Sequence, residues 1–395
     1  MKIGIYGGTF DPIHRGHITA AQAAAQQLGL DLLLLIPASI PPHKALPEGG
    51  ADAAQRLEMA TLATAELSCP AQVLDVEVRR QGKSYTADTL RTLRRQYPED
   101  ELWLLMGTDM FLSLQDWREP QEILSLARVA AFSRTGDPEQ QRFARQRAYL
   151  EETFGAQVTV VENPHVVDIS STRLRQLLPE GREYLPEAVY GYILRQRLYG
   201  THAELKHLTP EELRPIALSF LKPKRMPHVL GTEQEAIRLA RRYGADETDA
   251  RIAALLHDCT KKLDMEQQLA LCRRYDIRLD GLEQHALKLL HAKTGAAVAR
   301  DIFGVKDAVY EAIRWHTTGK PDMTLLEKVI YLADYIEPNR DFPGVERLRR
   351  AVYDDLDKGL LMGLSDTIDE MERMGNPVHH DTLEARDFLL RGEAK

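Results

Sequence analysis

The run Gly7-Gly8-Thr9-Phe10-Asp11-Pro12-Ile13-His14-Arg15-Gly16-His17 gathers the residue types that phosphate chemistry needs. Glycines at the end of a strand let the backbone approach a phosphate chain. The helix that follows offers free N–H groups and the positive end of its dipole. His14 and His17, three residues apart, can face one way. Such a pocket suits a triphosphate; a tight Gly-Gly turn followed by two helix-capping histidines is the plainer alternative. Farther along, Ile169-Ser170-Ser171-Thr172-Arg173-Leu174-Arg175 places hydroxyls at a helix start and two guanidiniums within its first turns. Ser170, Ser171 and Thr172 could be ordinary N-caps, whereas Arg175 is available to grip phosphate oxygens bidentately. A second constellation, His228, His257-Asp258, His291, His316 and Asp334, lies in the other half. Ala253-Ala254-Leu255-Leu256 runs straight into His257-Asp258, and Asp334 interrupts the apolar segment Val329 to Ala333. Both carboxylates thus stand where an apolar core refuses a naked charge. A bound cation compensates. Mixed imidazole and carboxylate ligands suit iron, manganese or zinc, and six of them can serve two ions that share a bridging carboxylate.

These groups need scaffolds, and the two halves of the chain differ in rhythm. From the start to about Val161, short apolar runs alternate with helical patterns, the mark of βα units. Expected strands are Lys2 to Tyr6, Asp31 to Pro37, Val73 to Val78, Leu102 to Met106, Arg128 to Ser133 and Gln157 to Val161. Expected helices include Ile18 to Leu28 and Asp52 to Leu67. Nearly all-apolar central strands predict a parallel, doubly wound sheet, with ligands beyond its carboxyl ends. After Ser170 the pattern turns helical, and from Leu208 onward only amphipathic segments occur, such as Ala250 to Leu256 and Leu325 to Ile336. The fold class is therefore α/β plus all-α. The boundary falls near Tyr199 to Leu208, where Thr209-Pro210 followed by Glu211 and Glu212 signals a helix start. Domains of 1–198 and 205–395 are expected. A chain of 395 residues exceeds what one core usually supports, so two domains accord with its length.

The HxGH and ISSTxxR segments together resemble the signatures of the nucleotidyltransferase superfamily, with its Rossmann-like domain. Three further pieces resemble bacterial nicotinate-nucleotide adenylyltransferase over residues 1 to about 198: Pro41-Pro42-His43-Lys44, Ser84-Tyr85-Thr86-Ala87-Asp88-Thr89-Leu90, and Gly107-Thr108-Asp109 with Trp117. That resemblance implies transfer of AMP from ATP to nicotinate mononucleotide, with magnesium accompanying ATP. It also implies that Gly107 and Asp109 contact the adenosine side, while Tyr85, Thr86 and Trp117 flank the pyridine. Gly7, Gly8, Thr9, Phe10, Ser170, Ser171 and Thr172 join the substrate-binding set. His14 and His17 would act on the transferring phosphoryl group, and Lys44, Arg173 or Arg175 on the others. Trp117 has simple core packing as its plainer reading; Asp11 and Asp88 have those of a turn residue and a helix-start carboxylate.

The order His, His-Asp, His, His, Asp resembles the HD-domain metal-dependent phosphohydrolases. More narrowly, His257-Asp258-Cys259-Thr260-Lys261-Lys262, Arg314 to Lys320 and Ala333 to Arg340 resemble the bacterial HD-type symmetrical bis(5′-nucleosyl)-tetraphosphatases, over about 205 to 390. The resemblance implies hydrolysis of diadenosine tetraphosphate to two ADP at a dinuclear centre, with iron expected. His228, His257, Asp258 and Asp334 would hold one ion, and Asp258 with His291 and His316 the other. Lys261 would neutralise the leaving phosphate or stand as a solvated lysine. Thr318, Gly319 and Arg340 are candidates for substrate contact.

Several alternatives remain open at this level. The first half could use nicotinamide mononucleotide, pantetheine phosphate or flavin mononucleotide as acceptor, or transfer cytidylyl groups. The second could be an inactive nucleotide sensor, or act on dNTPs or guanosine alarmones. A net charge of −8 argues against a nucleic-acid partner. The longest apolar stretch, Leu32 to Ile36, is too short for a membrane span. Three scattered cysteines point to a reducing, cytoplasmic setting.

Overall fold

The computed structural model describes residues 1–40, 49–80, 82–133, 137–162 and 167–393. Two compact units divide the chain, Met1–His202 and Ala203–Lys395.

The first unit is built on six strands, β1 (Lys2–Gly8), β2 (Leu32–Pro37), β3 (Ala71–Val73), β4 (Glu101–Met106), β5 (Arg128–Ser133) and β6 (Val158–Glu162). They form one sheet in the order β3-β2-β1-β4-β5-β6, every neighbouring pair parallel. The near-continuous apolar runs of β2 and β4 follow from burial on both faces, which a parallel sheet imposes. Chain order reverses between β1 and β4, so the crevice beyond their carboxyl ends is the topological switch point where such sheets take ligands.

One predicted strand is corrected. Val73 to Val78 is not a strand; β3 spans Ala71–Val73. Leu74 N–H still donates to the Leu35 carbonyl at 2.9 Å, but Arg79 N–H then closes a turn on the Asp75 carbonyl at 2.8 Å. The turn aims Glu77 inward, where its Oε1 accepts from the Thr89 hydroxyl at 2.7 Å. The helix expected over Asp52 to Leu67 is α-helical only over Ala53–Ala63 and ends in a 3₁₀ turn, Thr64–Glu66.

The second unit contains no strand among its described residues. Its centre is the helix Met226–Tyr243, which packs against Glu247–Leu256 and Leu325–Ile336. Asp246 caps the second of these, accepting from Asp249 N–H. Thr324 and Glu327 make a reciprocal capping box on the third. Caps at one end and buried apolar faces along the length aim the far ends, which carry His257-Asp258 and Asp334, at one point. Among the described residues no helix is long and apolar enough to cross a membrane.

Candidate functional sites

At the switch point of the first unit lies a cavity of about 340 Å³. Gly7, Gly8, Thr9, Phe10, His17, Tyr85, Thr86, Gly107 and Trp117 line it, so nine residues singled out from the sequence share one wall. Gly8 admits no side chain, because a Cβ there would stand 2.8 Å from the Phe10 ring. Gly16 is similarly confined: its Cβ would meet the His14 ring at 3.0 Å and the Val167 carbonyl at 3.1 Å. His14 and His17 do face each other, with ring centroids 3.8 Å apart. Capping and site geometry coincide, since His14 stands at the N-cap of helix Arg15–Leu28 and its N–H donates to His17 Nδ1 at 3.2 Å.

Residues 169–175 reach the same helix start by a different route. Ser171 Oγ donates to the Pro12 carbonyl at 3.0 Å, and Arg175 Nη1 to the Asp11 carbonyl at 2.5 Å. Ser170 is a plain N-cap, accepting from Arg173 N–H at 3.2 Å. Thr172 Oγ1 accepts from Arg175 at 3.4 Å. Asp11 is more than a turn residue. It is buried, accepts from Ala51 N–H at 3.1 Å and from the Tyr199 hydroxyl at 2.6 Å, and pairs with Arg175 at 3.5 Å. Asp88, by contrast, is the helix-start carboxylate expected, paired with Arg91 at 2.9 Å. Trp117 lines the cavity while packing partly on the sheet's core, so its two readings are compatible. Asp109 is exposed and is not on the cavity wall. Lys44 lies outside the described residues. Sequence reasoning missed the two charged wall residues, Glu77 and Arg118. Arg118 lies over the Tyr85 ring, 4.6 Å from its centroid. Burial pushes the Glu77 carboxyl above its usual range.

Burial lowers His14 to about 4, and burial with the His14 neighbour holds His17 well below the ordinary imidazole value. Unfolding frees both rings to take up protons once the pH drops below about 6.5. The unfolded chain therefore binds more protons than the folded one between that pH and about 4, so stability of this unit falls as pH falls through the window. Denaturant midpoints between pH 7 and 4.5 test this: His14→Asn should flatten the decline, and an unchanged slope would remove His14 as its source.

In the second unit the six predicted histidines and aspartates converge. His228 Nε2 stands 2.8 Å from Asp334 Oδ1, and His257 Nε2 is 3.8 Å from the same oxygen. Asp258 divides its two oxygens. Oδ2 faces His257 at 3.4 Å and His228 at 4.0 Å, while Oδ1 faces His291 at 3.2 Å and His316 at 4.0 Å. His291 and His316 approach each other through their Nε2 atoms at 3.1 Å. One carboxylate thus presents a separate oxygen to each of two ligand sets.

Three of the imidazoles have their other nitrogen anchored. His257 Nδ1 donates to the Ala254 carbonyl at 2.7 Å, His316 Nδ1 to the Ile313 carbonyl at 2.7 Å, and His228 Nδ1 to Glu337 Oε1 at 3.0 Å. A proton held on Nδ1 leaves the Nε2 lone pair for a cation. His257 Nε2 is buried and lacks a hydrogen-bond partner, and buried Asp258 Oδ1 has only the cluster's own His291 Nε2 and Lys261 Nζ nearby, each at 3.2 Å; a divalent ion would satisfy both atoms. Burial by itself would raise Asp258 and Asp334; the surrounding imidazoles, with Lys261 beside Asp258 and Arg340 beside Asp334, instead hold both carboxyls well below their usual range. Burial lowers His228, His291 and His316, whereas His257, between two carboxylates that outweigh its burial, is raised. The donor set fits divalent metal.

Lys261 belongs to the cluster, with Nζ 3.2 Å from Asp258 Oδ1 and 3.3 Å from His291 Nε2. Arg340 contacts Asp334 Oδ1 at 2.8 Å and so braces a cluster carboxylate. Thr318 and Gly319 are occupied elsewhere. The Thr318 hydroxyl faces the Gly319 carbonyl at 3.0 Å, and Gly319 turns at φ 67° against Leu364, Met323 and Ala385. Two contributors escaped the sequence reading. Arg225 Nε contacts Asp258 Oδ2, and no spacing rule singles it out. Glu337, three residues after Asp334 and buried, could have been found from that helical interval.

Comparison with known proteins agrees with both geometries. The cytidylyltransferase-like family profile matches residues 5–177, and the HD domain profile matches 225–339. A probable nicotinate-nucleotide adenylyltransferase of Gloeobacter violaceus is 43% identical over 209 residues, spanning 51% of this chain and 98% of that protein. The symmetrical bis(5′-nucleosyl)-tetraphosphatase of Halalkalibacterium halodurans is 43% identical over 183 residues, 44% of this chain and 95% of that protein. Its Bacillus subtilis counterpart is 40% identical, covering 46% of this chain and 98% of that protein. Each relative is matched nearly end to end by about half of the chain. The switch-point cavity and the six-residue cluster accordingly sit in two enzymes joined in one polypeptide, and the chain belongs in its first half to the nicotinate-nucleotide adenylyltransferase family and in its second to the HD-domain symmetrical bis(5′-nucleosyl)-tetraphosphatases.

Proposed function

We propose that the first unit transfers AMP from ATP to nicotinate mononucleotide, giving nicotinate adenine dinucleotide and pyrophosphate. The observation that carries this reading is the cavity at the β1/β4 switch point, with His17 and the Gly7-Gly8 backbone on its wall. A phosphate oxygen of the mononucleotide attacks the α-phosphorus of ATP and pyrophosphate departs, so no covalent enzyme intermediate is needed. Magnesium supplies charge neutralisation to the departing pyrophosphate. His17 and the backbone N–H groups at the helix start hold the reacting phosphate, and His14 supports His17 through the N–H to Nδ1 bond. Arg175 supports charge neutralisation at the edge of the site, positioned by Asp11. Tyr85, Thr86 and Trp117 take the pyridine and Gly107 the adenosine; Asp109, exposed and off the cavity wall, would meet the adenosine only where it extends beyond the cavity. Arg118 over Tyr85 favours an acceptor with a carboxylate over one with a neutral carboxamide.

The second unit, on the same proposal, hydrolyses diadenosine tetraphosphate to two ADP. The two-sided disposition of Asp258 carries it: His228, His257, Asp334 and Oδ2 on one side, His291, His316 and Oδ1 on the other. Paired divalent ions, iron by the resemblance, would supply Lewis acidity toward the phosphoryl group and toward the attacking water. Asp258 would offer one oxygen to each ion, the Nδ1 anchors keep the Nε2 lone pairs aimed inward, and Lys261 stands beside Asp258 to neutralise charge on the departing ADP. Arg340 braces Asp334.

Glu337 tests the metal assignment without being a ligand itself. Its Oε1 orients His228, and its Oε2 accepts from Asn339 N–H at 2.7 Å. Glu337→Gln should weaken metal binding by about 10–100-fold, read by calorimetric titration of the chelated protein with Fe²⁺ or Mn²⁺. Unaltered affinity would remove its orienting role. The whole reading is tested by supplying the intact chain with ATP and each pyridine mononucleotide, and separately with diadenosine tetraphosphate, before and after chelation. Dinucleotide formation should be faster with nicotinate mononucleotide and return with magnesium alone; ADP release should return only when a transition metal is restored. Metal binding without ADP release would favour a sensor instead.

A further inference from the structure

The second unit carries another group of potential ligands, apart from the six residues above. Asp280, His379 and His380 bring one ligand atom each to within 4.8 Å of the others. His379 Nε2 lies 3.2 Å, and His380 Nδ1 3.5 Å, from the same oxygen, Asp280 Oδ2. Two ligands on a tetrahedral ion with bonds of ~2.0–2.2 Å stand about 3.3–3.6 Å apart. The two separations from Asp280 Oδ2 lie close to that edge, and the two imidazole nitrogens stand within 4.8 Å of each other. The imidazoles are stacked, with centroids 4.4 Å apart and planes at 29°, which turns one nitrogen of each toward the carboxylate.

The place is organised before any ligand arrives. Asp280 N–H donates to Glu283 Oε2 at 3.0 Å, and Glu283 N–H returns to Asp280 Oδ1 at 2.8 Å. This reciprocal pair occupies Oδ1 and leaves Oδ2 for the two rings. The same N–H bond holds the Asp280 carboxyl below its usual range, so it remains an anion. The His379 side chain is 3% exposed, and its Nε2 has no hydrogen-bond partner although it points between Asp280 and Glu283, the latter at 3.4 Å. Three carboxylates, Asp280, Glu283 and Asp381, surround the rings, against the single ammonium of Lys293, which pairs with Glu283. The local excess of two negative charges is what one divalent cation would cancel.

We propose that Asp280, His379 and His380 form a structural site for one borderline divalent cation of the zinc type, with water completing the tetrahedron. Its consequence is mechanical. His379 precedes helix His380–Glu393 and its carbonyl accepts from Thr382 N–H at 3.1 Å, while Asp280 belongs to the segment before helix Leu287–Phe303. The ion staples the carboxyl-terminal helix to that segment. From the same first turn the Thr382 hydroxyl donates to the Thr318 carbonyl at 2.9 Å, two residues beyond His316 of the buried cluster. Loading places the His379 proton on Nδ1, facing Asp381 Oδ2 at 3.5 Å, in place of the 3.2 Å approach of Asp381 N–H to that nitrogen.

The competing account is an ordinary hydrogen bond from His379 to Asp280, with no ion. The test uses the tag-free full chain, chelated, dialysed and titrated with Zn²⁺ alone, beside Asp280→Asn and His380→Ala. His380 is largely exposed, so that variant leaves the packing intact. The parent should bind one equivalent more than either variant, and Zn²⁺ should slow amide exchange in residues 380–393 of the parent but not of His380→Ala. Equal stoichiometry in all three proteins, or zinc protection of that helix undiminished in His380→Ala, overturns the proposal. Both readouts are independent of the buried cluster's own occupancy, because its six residues are unchanged throughout.

Discussion

Asp258→Asn lowers diadenosine tetraphosphate hydrolysis by roughly 10³-fold or more, while dinucleotide synthesis by the same polypeptide stays at the parent rate. The magnitude follows from the position of the side chain. Both oxygens are used, each facing a different pair of imidazoles, and among the described residues no other carboxylate pairs with both sets. An amide offers one neutral oxygen and an NH₂ that repels a cation, so bridging and charge are lost together. Lys261 also loses its anionic partner, and Arg225 is left with Asp334 alone, at 3.8 Å. Metal content measured beside ADP release checks the cause. Full occupancy with hydrolysis at the parent rate would show that Asp258 does not bridge, and parallel loss of dinucleotide synthesis would point to misfolding.

His17→Ala lowers dinucleotide synthesis by about 10²–10³-fold or more and leaves tetraphosphate hydrolysis intact. His17 is the imidazole on the cavity wall, whereas His14 is buried behind it. Alanine also removes the acceptor of the His14 N–H, a capping loss of about 1 kcal/mol that the unit should tolerate. His17→Asn separates the two effects: its carboxamide oxygen can restore the cap but not an imidazole. If His17→Asn regains both thermal stability and the parent rate, the ring's part in phosphate handling is refuted. If stability returns without turnover, the ring is the group that matters.

Much of this was legible in the residues because each motif falls where its element must end. Gly7-Gly8 closes an apolar strand, and His257-Asp258 closes an apolar helix. A polar group at such a junction is either exposed or held for a purpose, and burial of the second pair excludes exposure. A lysine beside another lysine carries no local signal, so the sequence does not separate the two roles of Lys261; only the fold brings it to Asp258. The strand expected over Val73 to Val78 failed for a related reason. Leu74 and Val76 alternate as strand residues do, yet the chain turns early, closed by Arg79 N–H on the Asp75 carbonyl, and Glu77 meets Thr89 instead of continuing the ladder. Thr318 and Gly319 share a motif with His316, but adjacency in sequence is not adjacency in space. The turn at Gly319 sends them toward Met323 and Ala385.

The amino-acid sequence by itself determined that there are two halves, a parallel α/β sheet and a helical bundle, and which residues are candidates for phosphate and metal chemistry, because periodicity, caps and strand-end glycines are local properties of the chain. Only the tertiary structure decided how the Asp258 oxygens are shared, that Asp11 ties Arg175, Tyr199 and Ala51 together, and that Asp280 meets His379 and His380. Those are contacts between distant segments. They depend on the angles at which packed helices and strands cross, and no interval along the chain encodes them.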